Sequence, residues 1–405
     1  MNLFIEQLHN LTFGLIALVI SLTGQSAITA TATTTATSTN GLYVLTNTLA
    51  TSTSMAKKQI QALQNKNISG IVILLEWNEL QPSSSEYRYE QLDFWATEAV
   101  RANKKISIGI KAGSSSPSWL SKDPYNVPFI SASENTGDTT NINCVTRRIP
   151  IPWYARFKSR YSQAVTDLAS HLKTLKISGY KTGAAYDAIA FVKVDGINVH
   201  TAELSLGNTQ SVDTVCPGQT ITDVWKANGY GPSKVTSAWG NIASSTDLAF
   251  PDKILSINIL QRSVAFPLID KDGNAIKATG SFDPVTQDII NAGLASYQKR
   301  FSVQWNALST PDANPDIVYA LQTLHASNSS MIGFQTNASN GNSGSLCGAN
   351  TAGTKHTCTP TEYTAMLNNG INLGASFIEV WPNDVINYGS STALDEPAAR
   401  LRLLK

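Results

Sequence analysis

Gly70-Ile-Val-Ile-Leu-Leu-Glu-Trp-Asn-Glu-Leu-Gln-Pro-Ser-Ser-Ser-Glu-Tyr-Arg-Tyr-Glu-Gln-Leu-Asp-Phe-Trp-Ala-Thr-Glu-Ala-Val-Arg-Ala-Asn-Lys-Lys-Ile-Ser-Ile-Gly-Ile-Lys111 contains one whole repeat of a fold. It opens on an apolar run that ends in an acid. A stretch from Tyr89 to Ala102 follows, with apolar residues at helical spacing, and then a second apolar run from Lys105 to Lys111. Strand, helix and strand in that order make a βαβ unit with parallel strands. Outward from it the same alternation recurs. Strands are expected at Gly41–Thr46, Gly70–Glu76, Lys105–Lys111, Ala188–Val194, Lys253–Leu260, Val303–Leu308, Met331–Thr336 and Ser376–Trp381. Helices are expected at Met55–Asn65, Tyr89–Ala102, Trp153–Leu175, Val235–Ala243, Pro284–Arg300, Asp316–Ala326, Pro360–Asn369 and Ala393–Leu404. Eight of each argue for an α/β chain forming a single (β/α)8 barrel over residues 41–405. An open dinucleotide-binding sheet is disfavoured, because no glycine fingerprint follows the first strand.

The loops are unequal. Ala112–Pro152, Gly196–Thr222 and Asn337–Thr359 are long, and all three leave the carboxyl ends of strands. That is the face where barrel enzymes carry their sites.

The chain of 405 residues is 42% hydrophobic and 15% charged, which is enough apolar material for a large core. Its net charge of +1, without a basic run, gives nucleic-acid binding no electrostatic support. Residues 1–30 read as a signal peptide. Leu11–Leu22 is an apolar core too short to span a bilayer comfortably, and Ala30-Thr-Ala32 supplies a small-residue cleavage site. The usual positive amino end is missing, since only Glu6 is charged there. Residues 31–40 form a Thr-rich linker. A secreted chain, extracellular or periplasmic, with no membrane span after cleavage is therefore expected; an uncleaved anchor is the alternative. Export would let Cys144, Cys216, Cys347 and Cys358 oxidise. Cys347 and Cys358 flank one loop and are expected to close it, leaving Cys144 for Cys216.

Two acids stand out. Glu203 lies just past the fourth strand, in Val194-Asp-Gly-Ile-Asn-Val-His-Thr-Ala-Glu-Leu204. Glu379 lies within Ala375-Ser-Phe-Ile-Glu-Val-Trp381, where alternation sets it on one face with Phe377 and Trp381. A charge facing the helices would be costly, so Glu379 is expected to face the barrel axis. Two carboxylates on separate strand ends are the minimum equipment for cleaving a glycosidic bond, one as general acid and the other as nucleophile or base. The structural alternative for Glu379 is an ion pair with Lys111 or Lys193. Glu76 and Glu79 are lesser candidates.

Trp77, Trp305 and Trp381 lie at strand ends, where flat rings suit sugars. Lys111, Asn198, His200 and Gln335 are placed to bind hydroxyls. Trp95 and Trp239 sit in helical patterns and are expected in the core. Asp270-Lys-Asp-Gly-Asn274 lacks the spacing of a calcium loop and reads as a turn. The five histidines are scattered, so no metal is implied, and no organic cofactor either.

Several stretches together resemble the large clan of retaining (β/α)8 glycoside hydrolases that includes β-galactosidases and cellulases. Trp77 to Pro82 followed by Tyr87-Arg-Tyr-Glu-Gln-Leu-Asp93 is similar to its second βα unit. Pro117-Ser-Trp-Leu120 is similar to the loop after its third strand, and Ile151-Pro-Trp153 to the segment before its fourth. The resemblance implies that Glu203 is the acid/base. Ala202 stands where the clan has Asn, and Ala202-Glu-Leu204 is instead similar to the acid motif of β-amylases. The clan's nucleophile ends strand seven, where this chain has Gln335. Glu379 then acts from strand eight, or the strand count is off by one, or the second carboxylate is lost. The expectation is a hydrolase of oligo- or polysaccharides. The rivals are a silent carbohydrate-binding barrel at the cell surface and a transglycosylase.

Overall fold

The computed structural model describes residues 39–46, 53–135, 144–207, 220–260, 265–277, 280–309, 315–328, 330–337, 345–347, 356–389 and 391–404. The expected signal peptide and most of the Thr-rich linker lie outside the described residues, as does Cys216.

Eight strands close into a parallel barrel in sequential order. They are β1 (Gly41–Leu45), β2 (Ile68–Glu76), β3 (Lys105–Lys111), β4 (Ile189–Lys193), β5 (Ile254–Ile259), β6 (Phe301–Leu308), β7 (Met331–Thr336) and β8 (Ala375–Val380). Each boundary falls within two residues of the sequence expectation. These strands are buried on both faces, so their apolar runs are nearly continuous rather than alternating. Closure comes from β1 pairing β8, with Tyr43 beside Glu379.

The lower lumen is filled by aromatic side chains. The rings of Tyr43 and Phe191 lie 5.5 Å apart, and those of Phe191 and Phe377 4.4 Å. Gly333 of β7 makes room for them: a Cβ there would come within 2.1 Å of the Phe377 ring. The barrel is thus a packed core with no pore at this depth. Outside the strands, Trp95, Trp225 and Trp239 are buried among the helices.

Helix starts follow legible signals. Asp283 caps Pro284–Tyr297 by accepting from Thr286 N at 3.0 Å. Thr359 and Glu362 form a capping box at the start of Pro360–Asn372. The helix Pro232–Ala249 runs beyond the expected Val235–Ala243 at both ends, with Pro232 tolerated in its first turn.

The long segment after β3 is not all loop. It contains two short 3-10 turns, Gly113–Ser115 and Ser118–Ser121, then an antiparallel hairpin of Phe129–Asn135 with Cys144–Pro150. Cys347 and Cys358 are joined, as expected. That bridged loop is anchored by Asp384, which accepts from Ser345 N at 2.7 Å and Ser345 Oγ at 2.6 Å. Asp270 folds its own turn, accepting from the backbone N–H of Asp272 and of Asn274. Among the described residues, no helix is long and apolar enough to cross a membrane.

Candidate active site

Alternation along β4, β5, β6 and β8 sends Lys193, Asn258, Gln304 and Glu379 to the barrel axis above the aromatic layer. There they form a closed polar floor. Lys193 Nζ donates to Glu379 Oε1 at 2.7 Å and also to Asn258 Oδ1 and Gln304 Oε1, each at 3.1 Å. Gln304 Nε2 donates to Glu379 Oε2 at 2.7 Å. Both ends of the ion pair have side chains only 1% exposed. Of the alternatives open for Glu379, the pairing with Lys193 is the one that forms.

One step higher along the same strands the chemistry changes. Gln304 Nε2 also donates to Asn306 Oδ1 at 2.7 Å, and Asn306 Nδ2 donates to Glu203 Oε1 at 2.9 Å. A single file of side chains therefore links Glu379 at the floor to Glu203 at the rim. The Glu203 loop is held beside β5, with Leu204 N donating to Asn258 O at 2.7 Å. Glu203 Oε2 is buried with no hydrogen-bond partner among the described residues.

Asp195 completes the rim. It lies two residues past Lys193 on the same face, is 5% exposed, and its Oδ2 is likewise buried without a partner among the described residues. Its carboxylate leans over Gly109 of β3, where a Cβ would approach Oδ2 to 2.3 Å. Burial pushes its pKa up to about 7; Lys193 opposes that shift, Glu203 adds to it, Lys111 opposes it and Glu379 adds to it. A carboxyl with that affinity holds its proton to near neutrality and can give it away. Leaving two carboxylate oxygens buried and unsatisfied is costly, of order 1–3 kcal/mol each, which asks for a functional reason.

The remaining expected residues separate into three groups. Trp77 and Trp305 are core residues. Trp77 is fully buried edge-on to Tyr161 at 5.3 Å and Phe157 at 5.9 Å, and its Nε1 donates to Gln81 Oε1. Trp305 is 3% exposed and belongs to the layer between strands and helices. Neither offers a face to a sugar. Asn198 is a fastener, accepting from Ala112 N at 3.1 Å and donating to Thr201 O at 2.7 Å. Trp381, Gln335, Lys111 and His200 are partly exposed around the mouth. Trp381 Nε1 donates to Thr336 O at 2.9 Å, and Gln335 sits beside Glu379 in the register of β7 and β8.

Lys111 donates to Glu76 Oε1 at 2.8 Å, and Ser115 Oγ to Glu76 Oε2 at 3.1 Å. Burial, with the charge of Glu76, raises the Glu79 carboxyl above its ordinary value. Among the described residues, no three His, Cys, Asp or Glu side chains are arranged to hold a metal ion.

Asp195, Asn258, Gln304 and Asn306 were not singled out from sequence as site residues. The signal was present in each case. Ser302, Gln304 and Asn306 alternate polar within an apolar strand, as do Ser256 and Asn258, and Lys193 and Asp195 continue the lumen-facing series begun by Phe191.

No protein-family model matches the chain, and no curated protein matches it. Solved structures do share its fold. The catalytic domain of the β-amylase from Paenibacillus polymyxa superposes with a TM-score of 0.53 at 11% identity, over 90% of this chain and 97% of that one. The β-galactosidase from Bacillus circulans sp. alkalophilus gives a TM-score of 0.50 at 10% identity, over 90% of this chain and 55% of that one. At such identities the likeness is one of fold, a (β/α)8 barrel.

Proposed function

We propose that this chain is a secreted glycoside hydrolase that cleaves O-glycosidic bonds in an oligo- or polysaccharide, with Asp195 and Glu203 as its reacting carboxylates. One observation carries the reading: two acids at the carboxyl end of the barrel each keep a buried oxygen with no partner among the described residues, and one of them stays protonated to about pH 7. In this account Asp195 gives its proton to the glycosidic oxygen as the bond to the anomeric carbon breaks. Glu203, oriented by Asn306, meets the developing positive charge from its free oxygen, as nucleophile or as base for a water. Glu379, expected from sequence as the second carboxylate, is engaged on both oxygens and shielded from solvent. Its part is to balance Lys193 and hold Gln304, and through Gln304 the Asn306 amide that orients Glu203. Gln335, Trp381 and His200 border the sugar. The β-amylase and β-galactosidase that share the fold are sugar-cleaving enzymes by name, which is in keeping with this assignment.

Glycan release measured by mass spectrometry across a polysaccharide panel tests it. The native protein should cleave at least one substrate, and Asp195→Asn and Glu203→Gln should each slow that cleavage by about 100-fold or more. Undiminished cleavage by either variant removes that residue from the mechanism.

A further inference from the structure

The ammonium of Lys111 stands between acids on two sides of β3, and one side holds it. Lys111 ends β3 and Glu76 ends β2, level with it in the register of the two strands. Lys111 Nζ donates to Glu76 Oε1 at 2.8 Å, and the second Glu76 oxygen accepts from Ser115 Oγ at 3.1 Å. Glu76 is thereby fixed at both oxygens. Both partners are largely covered, with side chains 15% exposed for Lys111 and 29% for Glu76, so water and salt screen the pair less than a surface one. Glu79 faces the same ammonium from the turn after β2, where burial and the charge of Glu76 raise its carboxyl.

On its other side β3 runs beside β4, with Ile108 level with Val192. Asp195, just past the end of β4, leans back over β3, and a Cβ on Gly109 would come within 2.3 Å of its Oδ2. Lys111 lies two residues beyond Gly109, so alternation sets it on the same lumen face. It is near enough that its charge favours the ionised form of Asp195. The other groups facing this carboxyl are Lys193 from its own strand, Glu203 from the loop above, Glu379 from β8 and Tyr161 from the helix Ala155–Thr174. Lys193 is committed, because its three donors meet Asn258, Gln304 and Glu379. Lys111 is the cation with a choice of acids. A salt bridge from it to Asp195 would fix the carboxylate form and strip away the proton that cleavage calls for.

We propose that Glu76 is a positioning residue for the reaction: by holding the Lys111 ammonium on the β2 side of β3, it keeps Asp195 out of an ion pair and free to act as the acid. The link to cleavage rests on the hydrolase reading, but the hold on Asp195 can be read without turnover.

The test is a carbon-13 NMR titration of the full chain labelled at the aspartate carboxyl carbons, with the Asp195 signal identified by its loss in Asp195→Asn. The native midpoint should lie near 7. Glu76→Gln keeps the shape of the side chain and releases the ammonium. It should lower the midpoint by about one pH unit or more, a tenfold loss of proton affinity. Lys111→Met should raise the midpoint. In the Glu76→Gln/Lys111→Met double variant it should match that of Lys111→Met alone, because Glu76 acts through the ammonium.

An unmoved midpoint in Glu76→Gln would mean that Glu79 or water takes the ammonium, and overturns the proposal. A further fall from Lys111→Met to the double variant also overturns it, since Glu76 would then act on Asp195 without Lys111. Midpoints that move as stated, with no cleavage of any polysaccharide on the panel, would sink the hydrolase reading and keep the hold on Asp195. Cleavage by the native protein with an unmoved midpoint would do the reverse. Where both stand, the alkaline limb of kcat/KM should move to lower pH in Glu76→Gln by the same interval as the NMR midpoint.

Discussion

The floor and the rim of this barrel are built from the same residue types and behave in opposite ways. At the floor, Lys193 has three hydrogen-bond acceptors, and both Glu379 oxygens are held. At the rim, where Asp195 lies two residues past Lys193, Asp195 and Glu203 each retain a buried oxygen with no partner among the described residues. Burial alone therefore does not make a carboxylate reactive. A buried acid that is fully matched becomes part of the scaffold, while Asp195, left partly unmatched, holds its proton well above the ordinary carboxylate range. The floor also explains how the rim can exist, because Gln304 passes its order upward to Asn306 and so to Glu203.

The largest effect should come from breaking the floor. Lys193→Met leaves Glu379 buried and uncompensated, and should cost about 3–5 kcal/mol in urea unfolding. Replacing both partners, Lys193→Met with Glu379→Met, should recover much of that loss. A double variant no more stable than the single one would mean that the pair is not the self-balancing unit described here.

A somewhat smaller effect should appear in the pH dependence of stability. Asp195 binds its proton more tightly folded, near pH 7, than the ordinary value of 3.8. Between those values the folded chain holds a proton that the unfolded chain has lost. Its contribution is therefore full below about pH 3.8 and declines, by up to a few kcal/mol, as pH rises to about 7. Asp195→Asn should flatten that slope in thermal or urea titrations from pH 4 to 8. An identical slope in the variant would assign it to other groups.

Smaller again is the loss of Asn306. Asn306→Ala removes the amide that orients Glu203 and should lower kcat about tenfold, near 1.4 kcal/mol, with KM changed little. If KM rises and kcat stays, Asn306 binds sugar instead of positioning the acid.

Much of this architecture was legible because central parallel strands declare themselves as unbroken apolar runs. All eight were placed, and Pro284 and Pro360 marked helix starts. The hairpin Phe129–Asn135 with Cys144–Pro150 was not, since Cys-Val-Thr-Arg-Arg carries too little apolar patterning to distinguish a strand from a loop. In the site, alternation put Glu379 on the axis but could not join it to Lys193, which is 186 residues away and across the lumen. The burial of the two tryptophans was hidden for a simpler reason. Nearness to a strand end does not set the face, and Trp305 has the opposite parity to Gln304 and Asn306 and so faces the helices. Asp195 was readable by the same parity rule from Phe191 and Lys193. Its unmatched oxygen was not, because that depends on what the other strands fail to supply.

The most direct test of the contrast between rim and floor is to measure activity and stability together in Asp195→Asn at pH 8. If Asp195 is a functional acid held at the expense of the fold, cleavage should fall by about 100-fold or more while the variant unfolds at higher urea than the native protein. Full activity, or lower stability than native, would contradict the account and return Asp195 to the scaffold.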